Sequence, residues 1–216
     1  MKAAGEENFE VTDEAVSGVS SRAGEDAGVG GRLYIALLHH AVYDKNRNLV
    51  TTCVTNLDLH DISRVATTYQ LGRFFVVHPV PSQRSLVERI MHHWQDGFGA
   101  QYNDTRREAF EKLSLCGSLP EAVHAVREAS SGQSPAIVVT GAGRFRQTIG
   151  FTEMRLRLVA ENKPVLLVFG TGWGLSEDLA AEADDVLEPI RGLGRYNHLS
   201  VRSAVSIIVD RLLGTH

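Results

Sequence analysis

The chain has 216 residues, of which 43% are hydrophobic and 22% charged, a composition typical of one well-buried globular domain. No apolar run reaches the roughly 18 residues that cross a bilayer, and the acidic, Gly/Ser-rich N-terminus lacks the features of a secretory signal, so a cytoplasmic location without a membrane segment is predicted. The formal net charge is −4; residues 1–31 contribute −5, and the remaining +1 neither supports nor excludes a nucleic-acid partner.

Residues 1–31 have few large apolar side chains and no sustained periodicity, which predicts a disordered tail followed by one domain over 32–216. From Arg32 onwards the pattern changes. A strand is expected at 33–38, and a second apolar run follows at 49–54. A helix over 58–71 ends at Gly72, and a strand covers 73–77. Ser82 is expected to cap a helix that runs to 94, and Asp104 a further short helix.

The second half of the chain continues the alternation of strands and helices. Strands are predicted at 112–116, 136–140, 164–169 and 186–187. Helices are predicted from Ser118 to 129, over 151–160, from about 176, and over 200–213. This alternation predicts an α/β fold with a mostly parallel sheet covered by helices on both faces. Ligands bind such sheets at the carboxyl ends of the strands, which points to the loops 140–143, 169–175 and 188–197.

The segment 169–175 joins the most apolar strand to a helix through three glycines at alternate positions. Glycines allow a sharp turn and a close approach of the backbone to a ligand, and N–H groups at the next helix start could bind polar groups. The segment is neither a P-loop nor a GxGxxG motif, because no Gly-Lys-Ser/Thr follows and the third glycine comes one residue early. A tight strand-to-helix turn without a ligand is the alternative.

Two other segments combine polar side chains with a helix start. In 187–201 a strand gives way to a Gly-rich loop and then to an amphipathic helix, for which Asn197 or Ser200 could simply be the cap. In 56–64 four ionisable side chains lie close together at the start of a predicted helix. Those four are Asp58, His60, Asp61 and Arg64. Acidic residues there could simply interact favourably with the helix dipole, and Asp61 and Arg64 could form a local ion pair.

The sequence gives little support for a metal site or for a Ser/His/Asp catalytic triad. The two cysteines, Cys53 and Cys116, form no CxxC pair, so we expect reduced thiols with neither a disulfide nor a structural metal. The adjacent histidines at 39–40 follow a strand in a predicted loop, and neither they nor those at 92–93 favour a metal site. The second pair lies on a predicted helix, where adjacent residues point in different directions. No GxSxG elbow supports a Ser/His/Asp triad.

The order of these segments resembles the SPOUT superfamily of RNA methyltransferases. In that superfamily an Asn/Asp-rich helix ending in Arg comes early, a strand with a Gly-rich turn comes late, and an Asn-Leu/Ser-rich helix start comes last. The matching stretches are 58–64, 170–175 and 197–203. The chain is closer still to one family of uncharacterised bacterial SPOUT proteins, through 36–43, 55–62, 169–175 and 196–204. The resemblance covers about 32–214.

The resemblance implies a deep C-terminal trefoil knot, which is an exception to the rule that chains do not thread loops. It also implies a homodimer that binds S-adenosyl-L-methionine (SAM) in the knot and methylates tRNA or rRNA, with the acceptor site completed across the interface and no DNA partner. The residues expected to bind SAM are Thr140, Gly141, Phe169, Gly170, Thr171, Gly172, Gly174, Leu187, Pro189, Ile190, Tyr196, Asn197, His198, Leu199 and Ser200.

The residues expected to act on the acceptor are Arg64, Asp58 and Asp61. Arg64 matches an Arg that lies near the methyl group in several SPOUT enzymes, and it could hold an RNA phosphate or favour a deprotonated acceptor. Asp58, Asp61 and His60 are general-base candidates. The sequence departs from the 2′-O-methylating branch, because Asp58 replaces an Asn and Trp173 lies where a glutamate-containing turn is usual. A base and a ribose acceptor therefore both stay open.

Two rival functions are kept beside this one. The first is a catalytically silent SAM- or RNA-binding accessory module, because no residue is an unambiguous base and the body carries only +1. The second is a small-molecule α/β enzyme such as a nucleotide hydrolase, against which the missing phosphate-loop and triad motifs argue.

Overall fold

The computed structural model describes residues 28–143, 147–194 and 196–215. Most of the segment predicted as a tail, 1–27, lies outside the described residues. Val29–Arg32 forms a short 3-10 helix that leads into the first strand, so regular structure is present before residue 32, where the domain was predicted to begin.

Strands and helices alternate along the described residues as the apolar pattern predicts. The strands are β1 (Leu33–Leu38), β2 (Val42–Tyr43), β3 (Leu49–Val50), β4 (Phe74–Val77), β5 (Leu113–Cys116), β6 (Ala136–Val139), β7 (Val165–Gly170) and β8 (Asp185–Val186). The helices are α1 (Asn56–Thr68), α2 (Pro81–Gln95), α3 (Phe98–Tyr102), α4 (Asp104–Glu111), α5 (Leu119–Ala129), α6 (Phe151–Ala160), α7 (Glu177–Glu182) and α8 (Val201–Leu213).

Six of these strands form one parallel sheet in the order β5-β4-β1-β7-β6-β8. The two central strands, β1 and β7, are almost entirely buried, as expected for strands covered on both faces. They run in register to their carboxyl ends, where Leu38 pairs with Gly170. The chain segments that leave β1, β6 and β7 therefore meet at one edge of the sheet.

Helices cover both faces of the sheet, which confirms the predicted α/β architecture. Alternate residues of β1 divide between two cores: Leu33, Ile35 and Leu37 join one, and Tyr34, Ala36 and Leu38 join the other. The larger core contains side chains of α1, α2, α4, α6 and α8, whereas the smaller contains those of α5 and α7. In the part of the chain that the structure describes, none of the helices is long and apolar enough to cross a membrane.

Four local features differ from the sequence prediction. Ser82 does not cap α2, because Pro81 already occupies the first helical turn and Val80 is the preceding residue. Asn103, not Asp104, caps α4 through a side-chain bond from the Arg106 N–H. The short helix α3 was not predicted. The run 49–54 is a strand only at β3, which pairs with β2 in a hairpin.

Candidate functional site

A cleft of about 2030 Å³ opens at the carboxyl edge of the parallel sheet, and we call it the C-terminal cleft. It is lined by residues of the loop after β6, the turn after β7 and the approach to α8. The main segments that line the cleft are 140–143, 147–149, 169–175, 188–190 and 197–202. The turn at 170–174, which we call the glycine turn, and the approach to α8 at 197–200, which we call the helix entrance, lie about 20 residues apart in sequence. They are thus two walls of one cleft.

The glycine turn after β7 is held in place by the β2–β3 hairpin. The Trp173 N–H donates to the Tyr43 carbonyl at 2.8 Å, and the Tyr43 N–H donates to the Gly174 carbonyl at 2.9 Å. Gly172 has φ +58° and Gly174 has φ +103°, a backbone conformation that L side chains rarely adopt. A Cβ on Gly172 would lie 2.8 Å from the Tyr43 carbonyl oxygen, so hairpin and turn fit closely only with glycine there.

Threonine side chains tie the same turn to β1. The Thr171 hydroxyl donates to the Leu38 carbonyl at 3.2 Å and shares a short hydrogen bond with the Thr52 hydroxyl. Thr52 in turn donates its N–H to the His39 carbonyl at 2.9 Å. The turn is therefore preorganised by the N-terminal half of the chain, which no local sequence pattern indicates.

The segment from β8 to α8 forms the opposite wall. The Leu187 N–H donates to the Val139 carbonyl at 2.8 Å, and the Glu188 carboxylate accepts from the Phe151 N–H at 2.8 Å, which caps the N-terminus of α6. The Asn197 side chain donates to the Ala142 carbonyl at 3.4 Å. Ser200 caps α8 through a bond from Ser203, so of the two candidate caps Ser200 takes the role.

An arginine of α8 joins two carboxylates of α1 beside this wall. The Arg202 Nη1 lies 3.3 Å from Asp58 Oδ1, and its Nε lies 3.3 Å from Asp61 Oδ2. Asp58 is 5% exposed, lines the cleft, and accepts a second hydrogen bond from the Thr55 hydroxyl at 2.6 Å. A cation in the first turn of a helix opposes the helix dipole, so the sequence did contain a signal that Arg202 has an acidic partner.

Thirteen of the fifteen residues that the sequence assigns to the donor line the cleft: Thr140, Gly141, Phe169, Gly170, Thr171, Gly172, Gly174, Pro189, Ile190, Asn197, His198, Leu199 and Ser200. Leu187 does not, because at 1% exposure it belongs to the core. Tyr196 does not either; it is 78% exposed and its ring contacts that of His198.

Of the residues that the sequence assigns to the acceptor, only some lie at the cleft. Asp58 lines the cleft, and Asp61 reaches it only through Arg202. Arg64 is exposed on α1 and is not among the lining residues. His60 faces the opposite way: its Nδ1 receives a hydrogen bond from Arg106, and burial followed by the Arg106 charge lowers its pKa. His60 is therefore placed away from base chemistry in this cleft.

The histidine pairs do not gather metal ligands. Among residues 28–143, 147–194 and 196–215 there is no group of three or more His, Cys, Asp or Glu side chains placed to hold a metal ion. His39 is fully buried with its ring centroid 5.2 Å from that of His78, and burial, followed by the charge of His78, lowers its pKa to about 4. It is therefore neutral at ordinary pH.

Both cysteines are free. Cys53 is exposed and lines the cleft, whereas Cys116 is buried at the end of β5, and burial raises the pKa of its thiol to about 11. Only the Cys53 thiol is thus placed to react with a reagent in solvent.

Comparison with known proteins links this geometry to a family. The family described as "SAM-dependent RNA methyltransferase" matches residues 32–214. A tRNA (guanine-N(1)-)-methyltransferase of Oleidesulfovibrio alaskensis is 42% identical over 185 residues, which are 86% of this chain but 43% of that protein. An uncharacterised Aquifex aeolicus protein is 37% identical over 184 residues, 85% of this chain and 89% of that protein.

A solved structure shares the fold. The SpoU methyltransferase AviRb of Streptomyces viridochromogenes superposes with a TM-score of 0.52 at 17% identity, over 85% of this chain and 59% of that one. Such low identity establishes similarity of fold alone. The chain spans less than half the length of the curated tRNA methyltransferase that it matches.

Proposed function

We propose that this chain, which belongs to the family of SAM-dependent RNA methyltransferases and has a SpoU-type fold, transfers a methyl group from SAM to tRNA or rRNA at the C-terminal cleft. The observation that carries the proposal is that the glycine turn 170–174 and the helix entrance 197–200 line one cleft at the carboxyl edge of the sheet.

The residues present fit the methyl donor. No atom lies within 4 Å of the position that a Cβ on Gly174 would occupy, so a ligand can approach the backbone there. We assign the bonds to the adenine and ribose to free backbone groups of 170–174 and 188–190, which line the cleft, and Ile190 and Leu199 offer apolar surface beside them. When bound, SAM supplies an electrophilic methyl group on its sulfonium. The chain then has to hold the donor, align the acceptor and exclude water.

We assign to Asp58 the role of taking a proton from the acceptor. Its carboxylate lies at the cleft, and two neighbours fix its orientation: the Arg202 guanidinium and the Thr55 hydroxyl. A carboxylate whose position is fixed in this way can act as a general base without reorganising during the reaction. We assign Asp61 the supporting role of holding the other side of Arg202.

We further propose a homodimer and a trefoil knot, both of which follow from membership in the SPOUT superfamily. Arg64 is exposed and outside the cleft of its own chain, which fits an acceptor site completed by a second subunit. The Asn197 side chain bonded to the Ala142 carbonyl brings the segment before α8 against the loop after β6, a contact that fits a knot in this part of the chain. The cytoplasmic location stays a prediction from the sequence.

The acceptor atom is left as a base or a ribose of tRNA or rRNA. The name of the Oleidesulfovibrio relative describes a protein more than twice as long as the matching region, so guanine-N1 chemistry is not transferred to this chain. The departures at Asp58 and Trp173 from the 2′-O-methylating branch keep both acceptors open.

Tritiated methyl transfer from SAM tests the proposal. The substrate is total RNA from a strain that lacks the gene, and RNA from the parent strain is the matched control. We expect incorporation into the first pool and little into the second, because the second is already modified. Absence of transfer to either pool, with RNA bound normally and binding unaffected by Arg64→Ala, would instead identify the protein as a silent accessory module.

A further inference from the structure

Three aromatic side chains form a cluster at the rim of the C-terminal cleft, and we call it the aromatic rim. The His198 ring lies 5.6 Å from the Trp173 ring and 5.6 Å from the Tyr196 ring, centroid to centroid. The rings come from the two walls of the cleft, since Trp173 belongs to the glycine turn and the other two to the helix entrance. Trp173 and His198 also line the cleft itself.

The aromatic rim is unusually open to solvent. Trp173 is 61% and Tyr196 78% exposed. The interplanar angles of the two contacts are 61° and 72°, so the rings do not cover one another as parallel stacked rings would. Large aromatic groups contribute most to stability when they are buried, so this exposure leaves apolar ring surface available to a ligand.

The backbone beneath Trp173 is fixed. Its N–H is bonded to the Tyr43 carbonyl, and the glycines on either side hold conformations that few other residues can adopt. An aromatic side chain with only two rotatable bonds on such a support loses little conformational entropy when a planar ligand stacks on it. The rim therefore has the character of a preformed platform.

The cleft is also larger than one donor molecule needs. Small-molecule pockets typically measure about 300 to 1,000 Å³, and the C-terminal cleft measures about 2030 Å³. Donor and acceptor must both reach the cleft for methyl transfer, and a base inside a duplex cannot be stacked from outside. Single-stranded RNA, by contrast, is recognised largely by stacking of unpaired bases on aromatic side chains.

We propose that Trp173 and His198, extended by Tyr196, bind an unpaired nucleobase of the acceptor RNA by stacking, and so position the acceptor over the donor. This inference rests on the proposed function. It adds that the substrate presents its target in a single-stranded loop or bulge, with the stacked base being the methylated nucleotide or its neighbour.

Tryptophan fluorescence and affinity test this proposal together. The chain has two tryptophans, and Trp94 packs partly buried against Phe110, 6.2 Å between centroids. The probes are a short single-stranded oligoribonucleotide and its duplex with a complementary strand. We expect the single-stranded probe to quench the fluorescence of the Trp94→Phe variant but not that of Trp173→Phe, and the duplex to quench neither.

Affinity for the single-stranded probe should fall about 5- to 150-fold in Trp173→Ala, the effect of losing one base-stacking contact. Trp173→Phe should recover most of it, because a ring remains. Tyr102→Ala is the matched control: it removes a 79% exposed aromatic residue of α3 that does not line the cleft, and should change affinity by no more than about twofold.

Three outcomes would overturn the proposal. An unchanged affinity of Trp173→Ala for the single-stranded probe would exclude the platform. An equal loss of affinity for S-adenosylhomocysteine would assign Trp173 to the adenine of the donor, and a change of oligomeric state by light scattering would assign it to a subunit interface. Failure of the proposed function gives a separate result: an inactive chain whose Trp173 still binds single-stranded RNA keeps the platform.

Discussion

Arg202 is expected to stabilise the fold by linking α8 to the carboxylates of α1. Arg202→Met keeps most of the aliphatic stem but removes the charge, so the variant isolates the ionic contacts. Among the described residues, Asp58, at 5% exposure, would then keep the Thr55 hydroxyl as its one side-chain hydrogen-bond partner. Leaving a buried acceptor partly unsatisfied costs about 1 to 3 kcal/mol. The pair with the more exposed Asp61 adds no more than about 1 kcal/mol.

The Arg202 side chain is 34% exposed, and solvent weakens these contacts. We therefore expect the free energy of unfolding to fall by about 2 kcal/mol in Arg202→Met. Urea denaturation followed by circular dichroism measures it. Arg64→Ala is the matched control, because Arg64 is an exposed arginine of the adjoining helix, and its effect should stay within about 0.5 kcal/mol.

A double-mutant cycle separates the ion pair from other effects. Asp58→Asn removes the carboxylate charge at nearly constant volume, so Arg202→Met should cost about 1 kcal/mol less in that background than in the wild type. The reasoning is refuted if Arg202→Met is no more destabilising than Arg64→Ala, or if the two changes at 58 and 202 simply add.

Three further predictions concern the cleft and the buried histidine. Gly172→Ala should weaken binding of S-adenosylhomocysteine about tenfold. In the free variant the turn shifts to relieve the contact of the new Cβ with the Tyr43 carbonyl, and restoring the left-handed backbone on binding costs roughly 1 to 2 kcal/mol. Gly192→Ala, whose Cβ would meet no atom within 4 Å, is the calorimetric control. Cys53 should be alkylated by a maleimide at pH 8 in the free protein and protected by S-adenosylhomocysteine, and equal labelling in both states would place the ligand elsewhere. The pKa of His39 is lowered to about 4 in the folded chain. Between pH 6.5 and 4 the unfolded chain therefore binds a proton at His39 that the folded chain does not bind. The free energy of unfolding should fall over this range by on the order of 3 kcal/mol. His39→Leu should flatten that slope, whereas replacing the exposed His124 by Leu should leave it unchanged.

The sheet was predictable because its signals are local. The runs at β1 and β7 are apolar throughout, as parallel strands buried on both faces must be, and Ser118 and Ser200 cap helices as their positions in the sequence indicate. The cap of α2 was missed because Pro81 favours the first helical position more strongly than Ser82 favours the cap.

The parts of the site that could not be predicted depend on contacts between distant segments. Tyr43 bonds to a turn 130 residues later, and the hairpin that carries it has strands of only two residues, too short to show a period. The ion pair of Arg202 with Asp58 spans 144 residues. Sequence reasoning took Arg64 as the arginine of the site by resemblance. The position of Arg202 in the first turn of α8 indicated an acidic partner, but nothing local showed that this partner lies on α1.

A crystal structure of the protein with S-adenosylhomocysteine tests the central claim most directly. We predict the adenosyl group between the glycine turn and the helix entrance, with its polar atoms bonded to the backbone of 170–174 and 188–190 and the sulfur facing the side of the cleft that holds Asp58. An adenosyl group bound at any other edge of the sheet, or no bound ligand at saturating concentration, would contradict it.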